Sequence, residues 1–403
     1  MMHNYADRLN NNINAIPCLG LSAVFFLILG ILPILPSQIT QMLRPAAIAL
    51  CFMFPAPFQY QLTASGKCML VFMTYYVLVL LSHPITQESL MSWASLELFS
   101  AFFLFVIARP WSKNNIRLLL IVAALATTFF SVIIFRDNPD FLHEKAYVGI
   151  LFMSTSVNDN TAAFGIVPGT LCSLLLFFYS PKKHIVNWPK ILFFLCAGIS
   201  FFSLFCIGAR SAFFSALAGA ALIVLEWSND LNTFGERTFA RVTMVFLLIA
   251  LFVIGTNVTA GTHSARLFDL DNLTNGTGRD LLAEQAWKMI HKKPIFGGGF
   301  DFWVIENGDP LGTHNTFLTH LVQGGYIALL IMLSFLLTTF VEFWKSKSFI
   351  PLAFFVEVVA HTFTESDLNY YAYIPLIISY SLVRYTFFHR CKVTDILVAE
   401  TKQ

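Results

Sequence analysis

Residues 190–226 read KILFFLCAGISFFSLFCIGARSAFFSALAGAALIVLE, and Arg210 is the only charge between Lys190 and Glu226. As one straight helix, that otherwise uncharged stretch would be about 50 Å long at 1.5 Å per residue, against a hydrocarbon core of about 30 Å. The run must therefore cross, turn and cross back. The turn falls at IGARSA, residues 207–212, where Gly208 permits the reversal and Ser211 is expected to cap the second helix. A lone charge at such a turn is a functional candidate, with a plain interfacial anchor as the competing reading.

The rest of the chain repeats this pattern. Apolar runs near 16–36, 44–58, 67–83, 92–108, 116–135, 160–179, 242–258, 314–341, 349–363 and 371–388 join those near 191–207 and 211–227, giving about twelve spans. The run near 16–36 has no small-residue cleavage site and is expected to be a first span. The chain is 57% hydrophobic and 12% charged, with 43 Phe, whereas a soluble domain carries about a quarter charged residues. The sequence thus predicts an all-α polytopic membrane protein, one integral domain over 1–403. The net charge of +2 says nothing about nucleic acid, because the basic residues are spread among loops, and no nucleic-acid partner is expected. The seven cysteines show no CxxC spacing, so neither a disulfide framework nor a metal cage is expected.

Arg109, Lys113, Arg117, Lys182, Lys183, Lys190, Arg237, Arg241, Lys345, Lys347, Arg390 and Lys392 fall on one side when the spans alternate. Positive residues collect on the cytoplasmic face, so both termini are expected inside. Arg210 and the one long polar insert, residues 259–313, then lie on the opposite side.

Within the insert, Thr277-x-x-Asp280 resembles a capping box, and Leu282, Ala286, Met289 and Ile290 recur at helical spacing. Pro294 and the glycines at 297–299 should end this helix, which is expected to lie across the bundle. Lys288, Lys292 and Lys293 suit the negative C-terminal end of its dipole, whereas Arg279 in the first turn opposes it. An anion bound at the exposed N–H groups would remove that conflict; snorkelling or pairing with Asp280 is the bland alternative.

His314 and Asn315 open the tenth span, in GTHNTFLTHLVQGG. A helix N-terminus disfavours imidazolium, leaving His314 neutral and able to accept a proton, though an isolated histidine is more often structural. Glu357, His361 and Glu365 recur every four residues, so they share a helix face that must meet protein or a polar cavity. Structural glue competes there with a path for a polar acceptor. Asp269-x-Asp271 resembles a metal–diphosphate pair but is short enough to arise by chance. The FGGGF glycines lack the Lys-Ser/Thr of a phosphate loop.

Together, GARSAFFSALAGA (208–220), GTGRDLLAEQAWKMIHKKPIFGGGF (276–300), GTHNTFL (312–318) and GGYIAL (324–329) resemble the O-antigen ligase and polymerase superfamily of bacterial envelope glycosyltransferases. The single long loop is most similar to that of the ligases. The resemblance implies a twelve-helix bundle in the inner membrane with a periplasmic active site. It implies metal-independent, cofactor-free transfer of a glycan from an undecaprenyl diphosphate donor to a lipid A–core acceptor. It carries the essential arginines to Arg210 and Arg279 and the essential histidine to His314. The ligase pattern of His-Asn, nine residues, Gly, two residues and Gly, Thr or Tyr holds through Gly325 and departs at Ala328. An O-antigen polymerase, using a second lipid-linked glycan as acceptor, is the nearest rival, expected to show two large loops. A lipid-linked-glycan flippase or transporter is the rival from another class, but its special residues would sit near the midplane.

Overall fold

The computed structural model describes residues 62–108, 111–138, 150–152, 155–157, 159–179, 188–258, 267, 279–300, 304–306, 309–311, 313–365, 370–389 and 391–397. The expected spans at 16–36 and 44–58 lie outside these residues. The ten other expected spans are all helices: α1 (Ala64–Leu81), α2 (Gln87–Ile107), α3 (Lys113–Asp137), α4 (Asp159–Tyr179), α5 (Trp188–Ile207), α6 (Arg210–Asn229), α7 (Phe234–Val258), α9 (Thr316–Lys345), α10 (Phe349–Thr364) and α11 (Tyr370–His389). Between them comes α8 (Arg279–Lys292), and a short α12 (Val393–Leu397) follows α11. Six of these helices are long and apolar enough to cross a membrane, and α2 and α10 contain shorter apolar segments. The chain is a polytopic helical membrane protein.

Two antiparallel ribbons depart from the all-α expectation: β1 (Ile150–Phe152) with β2 (Thr155–Val157), and β3 (Val304–Glu306) with β4 (Asp309–Leu311). Both lie in connections, where the backbone must satisfy its own hydrogen bonds.

Apolar burial drives helix association weakly inside a membrane, so close packing of small residues takes over. Helix α4 sits centrally, against α3, α5, α6, α10 and α11. A Cβ on Gly169 would come within 2.0 Å of Thr127 Oγ1, and one on Gly219 within 2.9 Å of the Ala353 carbonyl. Only glycine admits these approaches of α3 to α4 and of α6 to α10. The remaining pairs include α1 with α9 and α10 with α11.

Polar contacts tie the helix ends at one side of the bundle. Glu226 Oε2 at the end of α6 accepts from Phe349 N at the start of α10, at 3.0 Å. Arg241 donates to Ser228 and Asn229, and Arg117 Nε to the Ile396 carbonyl. Glu342 of α9 accepts from Ser65 Oγ at 2.6 Å and from Tyr380 OH at 2.9 Å, joining α1, α9 and α11. The Arg210 turn is at the opposite end.

Candidate functional site

The reversal at 207–210 is made as expected by Gly208, whose φ is 71°. The expected cap is corrected. Ala209 holds the N-cap position with no side-chain cap bond, and α6 starts at Arg210 itself, so Ser211 is inside the first turn. Ala209 offers this turn no side-chain cap, and Arg210 is its first helical residue, where a helix N-terminus favours an anion.

Helices α6 and α10 run antiparallel, fixed by the Glu226–Phe349 bond and by the Gly219–Ala353 approach. At about 1.5 Å per residue, Arg210 comes level with the last turns of α10, near His361. That end of α10 meets the start of α9, where Thr316 Oγ1 donates to the Glu365 carbonyl at 2.7 Å. His314 is two residues before Thr316. Arg210, His314 and the end of α10 thus share one end of the bundle.

His314 is half-buried and has a φ of 48°, a left-handed conformation costing a non-glycine residue of order 1–3 kcal/mol. The surrounding turn imposes it. Asn315 caps α9, its Oδ1 accepting from Leu318 N at 3.0 Å. Thr313 Oγ1 lies 2.7 Å from the Asn315 carbonyl and 2.8 Å from Thr319 Oγ1. Asn315 therefore shapes the loop that presents His314.

Arg279 is the first residue of α8, as expected, followed by Asp280 in the first turn. Thr277, the other half of the expected capping box, lies outside the described residues, as do Asp269 and Asp271. Leu282, Ala286 and Ile290 are buried against Leu321 and Val322 of α9, with Met289 beside them. So α8 lies on the first half of α9, which begins at the His314 turn. Lys288 pairs with Glu284 at 2.8 Å and holds that exposed carboxyl below the ordinary carboxylate range.

Glu357 and His361 are both 1% exposed. The His361 ring meets Phe164 edge-on, 4.9 Å between centroids. Neither carboxyl oxygen of Glu357 has a hydrogen-bond partner among the described residues. Glu365 ends α10 and is half-buried. The shared face points into protein, with His361 nearer the Arg210 end and Glu357 one turn deeper.

Two features went unread in the sequence. The tenth span is broken at Gly325, whose φ is 68° and ψ −166°. The Val322 and Gln323 carbonyls beside the break accept from Gly298 N and Gly299 N, at 2.8 and 2.9 Å, while Tyr326 N donates to the Pro294 carbonyl. The FGGGF segment is thus a plug stitched into a broken helix. The second is His320, 1% exposed, with Nδ1 at 2.5 Å from Tyr76 OH and Nε2 unpaired among the described residues. A second histidine within an apolar run was its only signal.

These features define a polytopic membrane protein in which Arg210 and the His314 turn share one end of the helix bundle, and an amphipathic helix packs on the helix that the His314 turn opens. Residues 193–333 match the family model described as O-antigen ligase, so this stretch is similar to the O-antigen ligase superfamily. It contains Arg210, Arg279 and His314. No match to a curated protein was found.

Proposed function

We propose that this protein is an O-antigen ligase of the bacterial inner membrane. It transfers a polysaccharide from undecaprenyl diphosphate to the outer sugar of lipid A–core, at a site facing the periplasm. The observation that carries this reading is the position of Arg210, the His314 turn and α8 within the family-matched stretch, with Arg210 and His314 at one end of the bundle.

The donor presents a diphosphate where its lipid tail meets water. Arg210 and Arg279 grip that group, because a guanidinium bonds phosphate oxygens in pairs and stays charged. As the sugar–oxygen bond breaks, negative charge grows on the leaving diphosphate. Preorganised arginines stabilise that charge more in the transition state than in the ground state. Their two charges do the neutralising work a divalent metal does in other enzymes. The sugar carbon passes through an oxocarbenium-like state. His314 takes the proton of the acceptor hydroxyl as it attacks, a contribution of about 10²–10⁴-fold. Attack from the face opposite the diphosphate inverts the anomeric centre. Asn315 positions His314. His361 and Glu357 line the protein side of the same end, where a polar acceptor passes.

A polymerase is the second reading, and one observation favours it. The connection 138–158, at the same end as Arg210, carries its own hairpin. The chain therefore has a second elaborated loop there, as the polymerase reading expects. Purified protein given one lipid-linked donor, with lipid A–core or a second lipid-linked repeat as acceptor, separates the two. Product on lipid A–core alone is expected; product only on the lipid-linked repeat would replace ligase by polymerase.

A further inference from the structure

The break at Gly325 divides α9 into an inner part, 326–345, and an outer part, 316–324, which begins just after the His314 turn. A helix broken in this way does not carry its direction across the break, so other contacts must set where the outer part stands. Thr313 Oγ1, 2.8 Å from Thr319 Oγ1, ties the His314 turn to the outer part. Helix α8, with Arg279 at its head, packs on Leu321 and Val322 of the same part. His314 and Arg279 therefore ride on one body, whereas Arg210 belongs to α6. For the three to act together, that body must be placed.

Helix α1 bridges the break. Its Ser65 end is bonded to Glu342 of the inner part. Farther along, two adjacent tyrosines meet the outer part: Tyr75 OH donates to the Gly324 carbonyl at 2.6 Å, and Tyr76 OH lies 2.5 Å from His320 Nδ1. Tyr76 and His320 are 0% and 1% exposed. Phe72 meets the His320 ring edge-on at 5.1 Å, and Phe300 lies 5.3 Å from the Tyr76 ring. Two apolar side chains would fill this space without desolvating a phenol and an imidazole, and His320 Nε2 has no partner among the described residues. What the polar pair adds is direction, because a hydrogen bond fixes both distance and angle. The structure assigns Tyr76 and His320 as positioning residues that hold His314, through the outer part of α9, in register with Arg210. The assignment rests on the proposed role of His314.

The test measures glycan transfer and donor binding by the full-length protein in lipid nanodiscs. Tyr76→Phe keeps the ring and removes the hydroxyl. Its kcat should fall about tenfold or more, since misplacement by about 1 Å is costly at a reacting centre. Donor Kd should change less than about twofold, because a flexible diphosphate follows a small shift that transition-state contacts do not tolerate. At position 320, asparagine sets a polar atom where imidazole carries Nδ1, and glutamine sets one where it carries Nε2. His320→Asn should therefore keep a kcat about fivefold above that of His320→Gln. Equal kcat in these two, or native kcat in folded Tyr76→Phe, overturns the assignment, and the position-320 pair decides alone if Tyr76→Phe does not fold. Parallel loss of kcat and donor binding makes the pair general scaffolding and overturns it too. Hydrogen exchange reads the same point without activity: amides of 320–324 should exchange about tenfold faster in Tyr76→Phe while the inner part stays protected. Unchanged exchange there defeats the positioning role itself, whereas full transfer by folded His314→Ala defeats the base reading beneath it.

Discussion

His314 was legible in the sequence as a candidate because it begins a helix beside Asn315; its left-handed backbone was not. That conformation comes from the hydrogen bonds Thr313 and Asn315 make around it, which no single residue announces. Gly208 was legible, since a charge in the middle of an overlong apolar run demands a reversal. Gly325 was not, because glycine in a membrane helix serves close packing as readily as a break. Its use appears only with Gly297, where a Cβ would fall within 2.4 Å of the Gln323 carbonyl. Gly297→Ala adds left-handed strain of about 1–2 kcal/mol and an overlap costing about 1–3 kcal/mol. Thermal unfolding in detergent should show a clear loss of stability, and an unshifted transition would remove the plug from the account.

At the scale of the element, α8 shows what periodicity can and cannot say. Leu282, Ala286 and Ile290 gave both the helix and its buried face, and the structure places that face on Leu321 and Val322. The partner was invisible, because an amphipathic helix in a loop reads the same whether it lies on lipid or on protein. Leu282→Ala removes part of a side chain whose burial contributes about 1.5–3 kcal/mol. Hydrogen exchange should quicken through α8 while α6 and α10 stay protected. Lys288→Ala should leave that exchange nearly unchanged, since the pair with Glu284 is exposed and solvent-screened. The lowered Glu284 carboxyl adds stability only above its ordinary titration range, and that small part is lost as pH falls through its lowered value. A large effect of Lys288→Ala would mean the charged face, not the apolar one, docks the helix.

At the scale of the molecule, the ten spans expected from 67 onward are all present as helices, because length and hydropathy are set by the bilayer and need no partner information. Which helix touches which was not legible: the approaches at Gly169 and Gly219 depend on residues far apart in sequence. The two sides of the bundle were legible through their charges, and Arg117, Arg241, Glu226 and Glu342 all lie at the end away from Arg210. The proposed orientation has a direct consequence. A cysteine replacing Trp287, exposed on α8, should react in intact cells with a maleimide that cannot cross the inner membrane. One replacing Asn229 should react only after lysis, and the reverse pattern would turn the site to the cytosol.

The central claim is that Arg210, Arg279 and His314 act together on one lipid-borne diphosphate sugar. The most direct measurement is glycan transfer by purified protein carrying Arg210→Ala, Arg279→Ala or His314→Ala, each checked for native thermal unfolding. The expected result is folded protein with product lost in all three, and with donor binding lost in the arginine variants but kept by His314→Ala. Full transfer by a folded His314→Ala or Arg210→Ala protein would contradict it.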